Sequence, residues 1–458
     1  MLRSLHTVRT ARVCRPCGPW SGRLRLCRTV SENDADKEDR ECSEKNKINW
    51  DLVRDVGILS GSQLFLNMGF SQIVPVMPLF AAQIGGAWGA FGIGLIVSAP
   101  SMATFALNVP LGRLCDTIGR KPLMYVGTAA TAVGSFLTGF TGDFWSLLAC
   151  RMLVGSGITA SSSGSQAFMA DLSDRAPKHR AKIMGVTNAI AGSVWVVGPA
   201  IGGWLAETYG IRNSFFIAGV GSAICSLGYT QLPETLKVKP SLHQTDHEAS
   251  WSSVAGKHAR NWWADVQPLL ESPNQQALIA MSIVPSLRWS CFTTVVALHA
   301  TATVAAGPQQ LGLMFTALAL SQGVSMTIGS YLADKCSGAR KQLVVPAGLT
   351  SCVAFGSLAV ASSIDHFYLA MALQGFCAGF NLPAQGAFRA EVTPQNLRGQ
   401  AMSLERQAGS LIGLAGPVSM GLLADLTSCP STIFFTSTLM VTCHLAYMLR
   451  AYSPGVLL

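Results

Sequence analysis

Apolar residues form long stretches along this chain, and short polar turns separate one stretch from the next. A helix needs about 20 apolar residues to cross the ~30 Å hydrocarbon core of a bilayer, so stretches of this length predict membrane-spanning helices. The chain contains twelve of them, at approximately Ile58–Phe80, Phe91–Leu111, Leu123–Phe140, Phe144–Phe168, Ile183–Ala206, Ser214–Leu232, Ala277–Ala300, Leu311–Ala333, Leu343–Ser362, Phe367–Phe388, Ala401–Ala424 and Thr432–Leu449. We therefore predict an all-α membrane protein with twelve transmembrane helices.

The composition favours a membrane protein and excludes several soluble classes. Charged residues make up 12% of the 458 residues and hydrophobic residues 49%, whereas about a quarter of an average soluble domain is charged. Most of the net charge of +9 belongs to residues 1–30, which hold seven arginines and no acid, so no basic face remains for nucleic acid. The 13 cysteines mostly stand singly in apolar stretches, which predicts no disulfide framework. No metal and no cofactor are expected.

Both ends of the chain lie outside the predicted helices. Residues 1–30 have the arginine-rich composition of a mitochondrial or other organelle presequence, and equally that of a disordered cytosolic tail. An organelle membrane and the plasma membrane therefore both stay open as the location. Residues 31–50 are expected to form a polar linker, and residues 451–458 a short tail.

A second polar segment divides the membrane part in two. Residues 234–273 separate the first six predicted helices, within residues 51–233, from the last six, within residues 274–450. Residues 251–269 of this segment place tryptophans and aliphatic residues on one helical face. Such an amphipathic helix lies either in the lipid interface or against the loops beneath the bundle.

Basic residues lie on alternate connections between the predicted helices. One set of connections carries Arg113, Arg120, Lys121, Arg175, Lys178, Arg180, Lys182, Lys335, Arg340, Lys341 and Arg398, whereas the opposite connections offer only Arg212. We call the helix ends next to the first set the basic end. The positive-inside rule predicts that the basic end and both termini face the cytosol or the equivalent inner compartment of an organelle.

The two groups of six helices resemble each other in sequence. Adding 218 to a position in the first group often gives a related residue in the second, as for Asp116 and Asp334, Arg180 and Arg398, Gly198 and Gly416, Pro199 and Pro417, and Gly203 and Gly421. In between, the offset is 220, as for Arg120 and Arg340, Lys121 and Lys341, and Asp171 and Glu391. The chain is therefore expected to contain two copies of one six-helix unit. Many secondary transporters are built this way, with a substrate site near the midplane between the copies.

The connection after the second predicted helix carries a recognisable motif. Residues 112–122 read Gly-Arg-Leu-Cys-Asp-Thr-Ile-Gly-Arg-Lys-Pro. This segment resembles the signature loop of the major facilitator superfamily, with Thr117 where that pattern usually has a base. The resemblance implies the twelve-helix fold of that superfamily and a transport function.

The charges of this loop predict a gate at the basic end. Arg120 needs a carboxylate, and Asp171 at the end of the fourth helix is the expected partner, while Asp116 can face a helix N-terminus. We expect the gate to involve Gly112, Asp116, Gly119, Arg120, Lys121 and Asp171, and Asp334, Arg340 and Glu391 in the second copy. It would hold the basic end closed while the opposite end opens. The alternative is that these basic residues only orient the protein in the membrane.

Arg151 lies well inside the fourth apolar stretch. Residues 147–157 resemble the arginine motif of the fourth helix of the superfamily. An arginine at membrane depth needs acceptors or water and marks a functional site by default. Its counterpart in the repeat is Met371, so this charge occurs once. We interpret Arg151 as a coupling or substrate residue; the alternative is an arginine that only binds backbone carbonyls of neighbouring helices.

The fifth helix carries a glycine-rich motif. Residues 192–203, Gly-Ser-Val-Trp-Val-Val-Gly-Pro-Ala-Ile-Gly-Gly, resemble the GPxxGG motif of the drug:proton antiporter branch, which includes tetracycline and multidrug efflux proteins. Small residues let helices approach closely, which predicts a helix seam formed by Gly192, Gly198, Pro199, Gly202, Gly203, Gly416 and Pro417. Because the eleventh helix repeats part of the motif, a structural hinge and an antiport determinant are equally compatible with it.

Further polar residues inside the apolar stretches are candidates for binding and coupling. Arg288 and the adjacent Trp289 lie in the seventh helix, and two buried arginines with few buried acids favour an anionic substrate. Glu405 is the candidate proton acceptor, or else pairs with Arg398 or Arg406. Amides that line the cavity or bridge helices are Asn67, Gln72, Gln374 and Asn381, together with Gln166, Asn188, Gln322 and Gln385.

These features predict a secondary active transporter that moves a small solute by alternating access. The expected partners are the lipid bilayer, a small-molecule substrate and protons as the coupling ion, without nucleic acid, and the protein is expected to be a monomer. A transporter-like sensor that binds a ligand without moving it is the second hypothesis. An enzyme is not expected, because the sequence shows no phosphate-binding loop and no cluster of catalytic residues.

Overall fold

A computed structural model of the chain describes residues 50–85, 88–175, 180–235, 272–335, 340–392 and 398–451. These residues are almost entirely helical and include no strand, so the predicted all-α class is confirmed. The possible presequence, most of the predicted linkers, the amphipathic segment 251–269 and residues 452–458 lie outside the described residues.

The described part contains fourteen α-helices. They are α1 Trp50–Ile73, α2 Met77–Gly85, α3 Gly89–Ile118, α4 Arg120–Phe140, α5 Phe144–Asp174, α6 Arg180–Tyr209, α7 Ile211–Thr230, α8 Pro273–Cys291, α9 Ala297–Val304, α10 Pro308–Lys335, α11 Arg340–Ser357, α12 Ile364–Val392, α13 Arg398–Leu426 and α14 Cys429–Ala451. A π-helical segment, Phe292–Val296, joins α8 to α9, and a 3-10 turn, Leu358–Val360, follows α11. All contacts discussed below lie within the unit Arg54–Leu458; of the unit Met1–Val53 only Trp50–Val53 are described.

Many of these helices have the length and apolarity of membrane spans. Within the described residues, nine helical segments are long enough and apolar enough to cross a membrane. The number is ten if α1 and α2, which meet at an angle of 50°, count as one broken span. The outer surface is apolar: Phe140 is 72% exposed, Leu369 69% and Leu449 77%. In water such surfaces would drive aggregation, whereas in a bilayer they contact lipid. The protein is therefore an integral, multi-pass membrane protein.

At the signature loop, α3 ends later and α4 begins earlier than the sequence predicted. The second apolar stretch was expected to end at Leu111, but α3 continues to Ile118, so Gly112 and Asp116 belong to a helix. Nothing lies within 4 Å of the position where Gly112 would carry a Cβ atom, so no close helix approach depends on that glycine. Gly119 makes the turn instead, with a φ of +120° that favours glycine.

The turn between α4 and α5 illustrates how the short connections are stabilised. Asp143 is the N-cap of α5, where its Oδ2 accepts from the Ser146 backbone N–H at 2.8 Å and its Oδ1 from the Ser146 hydroxyl at 2.7 Å. These hydrogen bonds stabilise the carboxylate and lower the pKa of Asp143 below its ordinary value. The cap lets α5 begin immediately after α4 ends.

The same helix contacts occur in both halves of the chain. In the first half α3 packs on α5, and α4 packs on α5 and α7; in the second half α10 packs on α12, and α11 packs on α12 and α14. The offset of about 218 residues relates each of these helices to its counterpart. Helices at equivalent positions in the sequence therefore have equivalent neighbours in the structure.

Two crossings hold the halves together, α3 on α13 and α6 on α10. At the first, a Cβ atom on Gly421 would overlap the carbonyl oxygen of Ala90 and lie 3.1 Å from the Cα atom of Phe91. At the second, a Cβ atom on Gly203 would overlap the carbonyl oxygen of Pro308 and lie 2.9 Å from the Cα atom of Gln309. Backbone therefore touches backbone at both crossings, which only glycine permits.

At each crossing one further glycine, on the facing helix, also contacts backbone of the other half. Gly94 on α3 abuts the carbonyl oxygen of Pro417, and Gly312 on α10 abuts the carbonyl oxygen of Pro199. Position 94 plus 218 is 312, and position 203 plus 218 is 421, so both crossings use the same two repeat positions. We call these four glycines, Gly94, Gly203, Gly312 and Gly421, the inter-half seam.

The other glycines of the predicted seam serve different contacts. Gly198 and Gly202 approach Ser71 and Gln72 on α1, and Gly416 approaches Ser290 on α8, all within one half. Gly192 has nothing within 4 Å of its missing Cβ atom, so its assignment to a close seam is wrong. The motif therefore combines contacts inside a half with one contact between the halves.

We expect Gly203→Ala and Gly421→Ala to push the two halves apart at the crossings. Overfilling a well-packed contact costs about 1–3 kcal/mol, so each variant should melt at a lower temperature than the unchanged protein in detergent. Gly192→Ala is the matched control on the same helix and should not lower the melting temperature. Equal losses from Gly192→Ala and Gly203→Ala would contradict the seam.

Candidate substrate and gating site

A central cavity of about 470 Å³ lies between the two halves. Its walls come from α1 and α6 on one side and from α8 and α10 on the other. Most of the lining is apolar or aromatic, and Arg288 and Gln322 contribute the charged and amide groups. An apolar cavity with a few polar groups is the usual form of a small-molecule site.

A second cavity, of about 220 Å³, lies within the first half. Arg151 of α5 and Asn67 of α1 line it, together with hydroxyl groups of Thr131 and Ser135 on α4. Only 4% of Arg151 is exposed, and its Nε atom has no hydrogen-bond partner among the described residues. Each cavity therefore contains one arginine.

Neither arginine is neutralised by the protein in the described part of the chain. The ion pairs there are Arg54–Asp55, Arg175–Asp55 and Arg120–Asp171, and none involves Arg151 or Arg288. A guanidinium in a low-dielectric site is costly unless an acceptor or counter-ion is present. Each cavity therefore holds a positive charge that no described carboxylate neutralises.

A row of aromatic rings separates the two cavities. Phe70 and Trp195 line both of them. Their ring centroids are 5.8 Å apart, Trp195 lies 5.5 Å from Trp289 across the halves, and Trp289 lies 6.3 Å from Phe315. Sequence analysis identified Trp289 but not Phe70, Trp195 or Phe315. An aromatic residue within an apolar stretch carries no signal that distinguishes a cavity wall from ordinary core.

The signature-loop charges meet at the basic end of the first half. Arg120 forms an ion pair with Asp171, the partner expected from the sequence. The N-terminus of α4 is capped by Glu234, which accepts from the backbone N–H groups of Arg120 at 3.2 Å and Lys121 at 3.1 Å. The side chains of Asp116, Asp334, Arg340 and Glu391 lie outside the described residues.

A second ion pair at this end was missed by the sequence analysis. Asp55 of α1 is 1% exposed and accepts from Arg175, just beyond α5, at 3.3 Å and from Arg54 at 3.2 Å. The pair links α1 to the end of α5 beside the signature loop. Asp55 lies just before the first predicted apolar stretch, where a carboxylate carries no sequence signal that distinguishes a buried ion pair from a solvated side chain.

Two acids join the halves at the opposite end. Asp425, at the end of α13, accepts from the backbone N–H groups of Ala90 and Phe91, both at 2.8 Å, at the start of α3. Glu207, at the end of α6, accepts from the backbone N–H of Gln309 at 3.0 Å, at the start of α10. Position 207 plus 218 is 425, so the repeat offset could have identified them.

Asp425 and Glu207, which cap helices of the other half, accept different numbers of hydrogen bonds because of one proline. Pro308 stands at the repeat position of Ala90 and has no backbone N–H, so Glu207 accepts one hydrogen bond where Asp425 accepts two. Both carboxylates also face the positive end of a helix dipole in the other half. Together with the seam, the caps close the end opposite the signature loop.

The remaining candidate amides bridge helices. Gln72 donates to the Ser214 carbonyl at 3.2 Å, Gln374 donates to the Ser351 hydroxyl at 3.0 Å, and Asn381 lies 3.5 Å from His444. Buried Glu405 accepts from Gln275 of α8 at 3.2 Å. These contacts connect helices within one half, whereas Asn67 and Gln322 line cavities.

Comparison with known proteins identifies relatives along the whole membrane part. A family model described as Major Facilitator Superfamily matches residues 59–282 and 278–456. The chain is 24% identical over 404 residues to the multi-drug resistance efflux pump PmrA homolog of Lactococcus lactis subsp. lactis (strain IL1403), which covers 86% of this chain and 93% of that protein. It is 22% identical over 266 residues to the quinolone resistance protein NorA of Staphylococcus aureus (strain MSSA476), which covers 58% of this chain and 63% of that protein.

Solved structures share the fold. The human organic anion transporter MFSD10 (TETRAN) matches with a TM-score of 0.61 at 20% identity, covering 86% of this chain and 99% of that one. A POT family transporter in complex with a thioalcohol-conjugated peptide matches with a TM-score of 0.70 at 12% identity, covering 88% and 97%. The described helices therefore adopt a transporter fold, and these relatives indicate a transporter and not an enzyme.

We expect Asp425→Ala to loosen the opposite end more than Glu207→Ala, because it removes the acceptor of two backbone N–H groups. Pulsed EPR distances between spin labels at Tyr209 and Leu426, exposed residues at that end of each half, measure the separation. Asp143→Ala is the matched control, since Asp143 caps its own helix within one half. Equal distance distributions for Asp425→Ala and Asp143→Ala would show that the caps do not hold the halves together.

Proposed function

The chain belongs to the major facilitator superfamily, and we propose that it is a proton-coupled secondary transporter that moves an organic anion by alternating access. The observation that carries the proposal is the pair of arginines, one in each of two adjoining cavities, that no described carboxylate neutralises. The described residues that line these cavities include no acid that would neutralise a cationic drug, whereas each cavity offers an arginine to an anion.

The proposed topology has twelve spans with both termini on the cytosolic side. The α1–α2 pair would count as one broken span beside the nine continuous ones, of which Gln275–Val304 joins α8 to α9, and α11 and α12 would complete the set. The basic residues of the connections after α3, α5, α10 and α12 support this orientation. In this arrangement Arg120, Asp171, Asp55 and Arg175 would lie on the cytosolic side, and Glu207 and Asp425 on the other side.

Relatives support a transporter of small organic molecules without fixing which one. The human MFSD10 structure is described as an organic anion transporter, which agrees with a site built around Arg288. The PmrA homolog and NorA are described as an efflux pump and a resistance protein, which suggests an adaptable aromatic cavity. Phe70, Trp195, Trp289 and Phe315 would supply stacking surfaces for an aromatic anion.

The contacts between the halves suggest how access alternates. The seam and the caps of Glu207 and Asp425 would hold the non-cytosolic end closed in the state described above. Opening that end requires the carboxylates to release the N-termini of α3 and α10. Arg120–Asp171 is already formed in this state and joins α4 to α5 within the first half, so it would act on closure of the cytosolic side by fixing the signature loop and not by bridging the halves.

Uptake into proteoliposomes tests the substrate class. Naphthalene-2-sulfonate is a suitable probe because it is aromatic and stays anionic at every pH used. We expect saturable uptake by the unchanged protein and at least a tenfold weaker apparent affinity for Arg288→Ala, since a charge-assisted hydrogen bond contributes about 1.5–3 kcal/mol. Arg288→Lys should retain more affinity than Arg288→Ala, and Arg212→Gln, at an opposite connection, is the control.

The same measurement separates the competing hypotheses. Binding of the sulfonate without uptake, with Arg288→Ala abolishing binding, would indicate a ligand sensor. Unaltered uptake by folded Arg288→Ala and Arg151→Ala proteins would reject the arginine site. Uptake of aromatic cations but not of the sulfonate would reject the anion and return the protein to the cationic drugs of the antiporter branch.

The gate predicts a shift in accessibility. Arg120→Asp should leave the helices folded but favour opening at the basic end, because it replaces an ion pair with two neighbouring acids. A cysteine at Ala319 in the central cavity should then react faster with a membrane-impermeant thiol reagent from that side, relative to the parent protein. The exchange Arg120→Asp with Asp171→Arg should restore the original rate. Unchanged reactivity in Arg120→Asp together with reduced uptake would rule out the gate.

A further inference from the structure

The polar wall of the cavity around Arg151 corresponds to packed apolar core in the second half. Three polar side chains of that wall are Ser135, Arg151 and Ser222. The repeat offsets, 220 for the first two and 218 for the third, place them at Phe355, Met371 and Met440. These three residues are at most 1% exposed and belong to one hydrophobic cluster. The same helix positions thus form core in one half and a cavity with polar groups in the other.

The guanidinium of Arg151 is buried in this cavity without a negative partner from the described part of the chain. Its Nε atom has no hydrogen-bond partner there, and none of the ion pairs includes it. The described residues that line the cavity include neither an acid nor a second basic residue. Because an unpaired buried charge is costly, one added negative charge would stabilise the site. A single guanidinium matches a monovalent anion.

Three helices offer hydrogen-bond donors to an anion in this cavity: α5 through Arg151, α1 through Asn67 and α4 through Ser135. The Asn67 amide nitrogen donates one hydrogen to a carbonyl of its own helix at 2.8 Å, which fixes the side chain and leaves its second hydrogen. The hydroxyls of Thr131 and Ser222 each donate to a carbonyl of their own helix at 3.0 Å, so they add polarity but no donor in this arrangement.

Close helix packing around the cavity limits the size of its ligand. A Cβ atom on Gly134 of α4 would lie 2.8 Å from Cγ2 of Val154 on α5, and one on Gly69 of α1 would lie 3.0 Å from the carbonyl oxygen of Ala218 on α7. Val154, Gly69 and Ala218 line the cavity, so its walls are fixed where these helices touch. Its volume of about 220 Å³ is less than half of the 470 Å³ of the central cavity. The geometry therefore favours a small ligand.

We propose that the cavity around Arg151 binds a small monovalent inorganic anion, a halide such as chloride. The inference deepens the proposed function, on which it rests for the organic anion at Arg288: the two arginines take different ligands, organic in the larger cavity and inorganic in the smaller. Most of the lining is apolar, so an anion that loses its water easily binds best. Bromide therefore binds more tightly than chloride, and strongly hydrated fluoride binds least.

Thermal unfolding of the full chain in detergent tests the halide site without any transported substrate. Melting temperatures are compared in sodium bromide, chloride, fluoride and gluconate at constant ionic strength, with gluconate as the bulky reference anion. We expect a saturable rise of about 1–3 °C in bromide relative to gluconate, because a ligand that binds only the folded state stabilises it. Arg151→Gln should remove this rise, and Arg288→Gln should keep it.

A second variant fills the cavity and keeps the charge. Ser222→Met introduces the side chain that stands at the repeat position in the second half, and methionine is flexible enough to occupy an irregular space. It should fold and lose the bromide response although Arg151 is unchanged. Ser193→Met, at an exposed serine of α6, is the matched control and should respond like the unchanged protein. A full bromide response in Ser222→Met would overturn the cavity as the halide site.

Tryptophan fluorescence reports where the halide binds, because bromide quenches an indole ring that it touches. Trp195 lines the cavity around Arg151, whereas Trp289 lines only the central cavity. We expect a saturable quenching component that Trp195→Phe removes and Trp289→Phe retains. A component that depends on Trp289 and not on Trp195 would place the bromide beside Arg288 and overturn the proposal.

The halide site and the proposed function fail separately. A bromide response that is absent from the unchanged protein, or that persists in folded Arg151→Gln, would overturn the halide site and leave the organic anion at Arg288 intact. Absence of naphthalene-2-sulfonate uptake in the unchanged protein, together with a bromide response that depends on Arg151, would instead overturn the proposed substrate class and support the halide site.

Discussion

The backbone contact between the two halves is the constraint on which the rest of this structure depends. A membrane protein gains little from burying apolar surface between helices, since lipid is equally apolar, so close packing and hydrogen bonds must hold its parts together. Here four glycines at two repeat positions let carbonyl groups touch the facing backbone. Two carboxylates then reach the helix N-termini that this approach brings near. The central cavity is the space left between halves that are joined at one end.

Duplication explains both the order of the fold and the chemistry it contains. Scaffold features occur twice: the seam glycines, the acids at 207 and 425, and the contacts of equivalent helices. The two arginines that line the cavities occur once, because Phe70 and Met371 stand at the repeat positions of Arg288 and Arg151. The residues that join the two halves are therefore duplicated, whereas the arginines of the two cavities are not.

The sequence predicted the helices well, because the bilayer imposes a length and an apolarity that can be read directly. It predicted the partner of Arg120 because a repeated motif restricted the choice to a nearby acid. It failed where a residue type has several uses: Gly192 and Gly112 make no close contact, and Gln72 and Gln374 bridge helices. Only three-dimensional packing distinguishes a glycine at a crossing from one facing open space.

Trp195 has a consequence for stoichiometry. Its ring lines both cavities and touches rings from both halves, so the two cavities share this wall. Under the proposed function, a ligand that displaced the ring from the central cavity toward Arg151 would reduce the neighbouring volume. The two compartments would then compete for one molecule per cycle, although each of them holds an arginine.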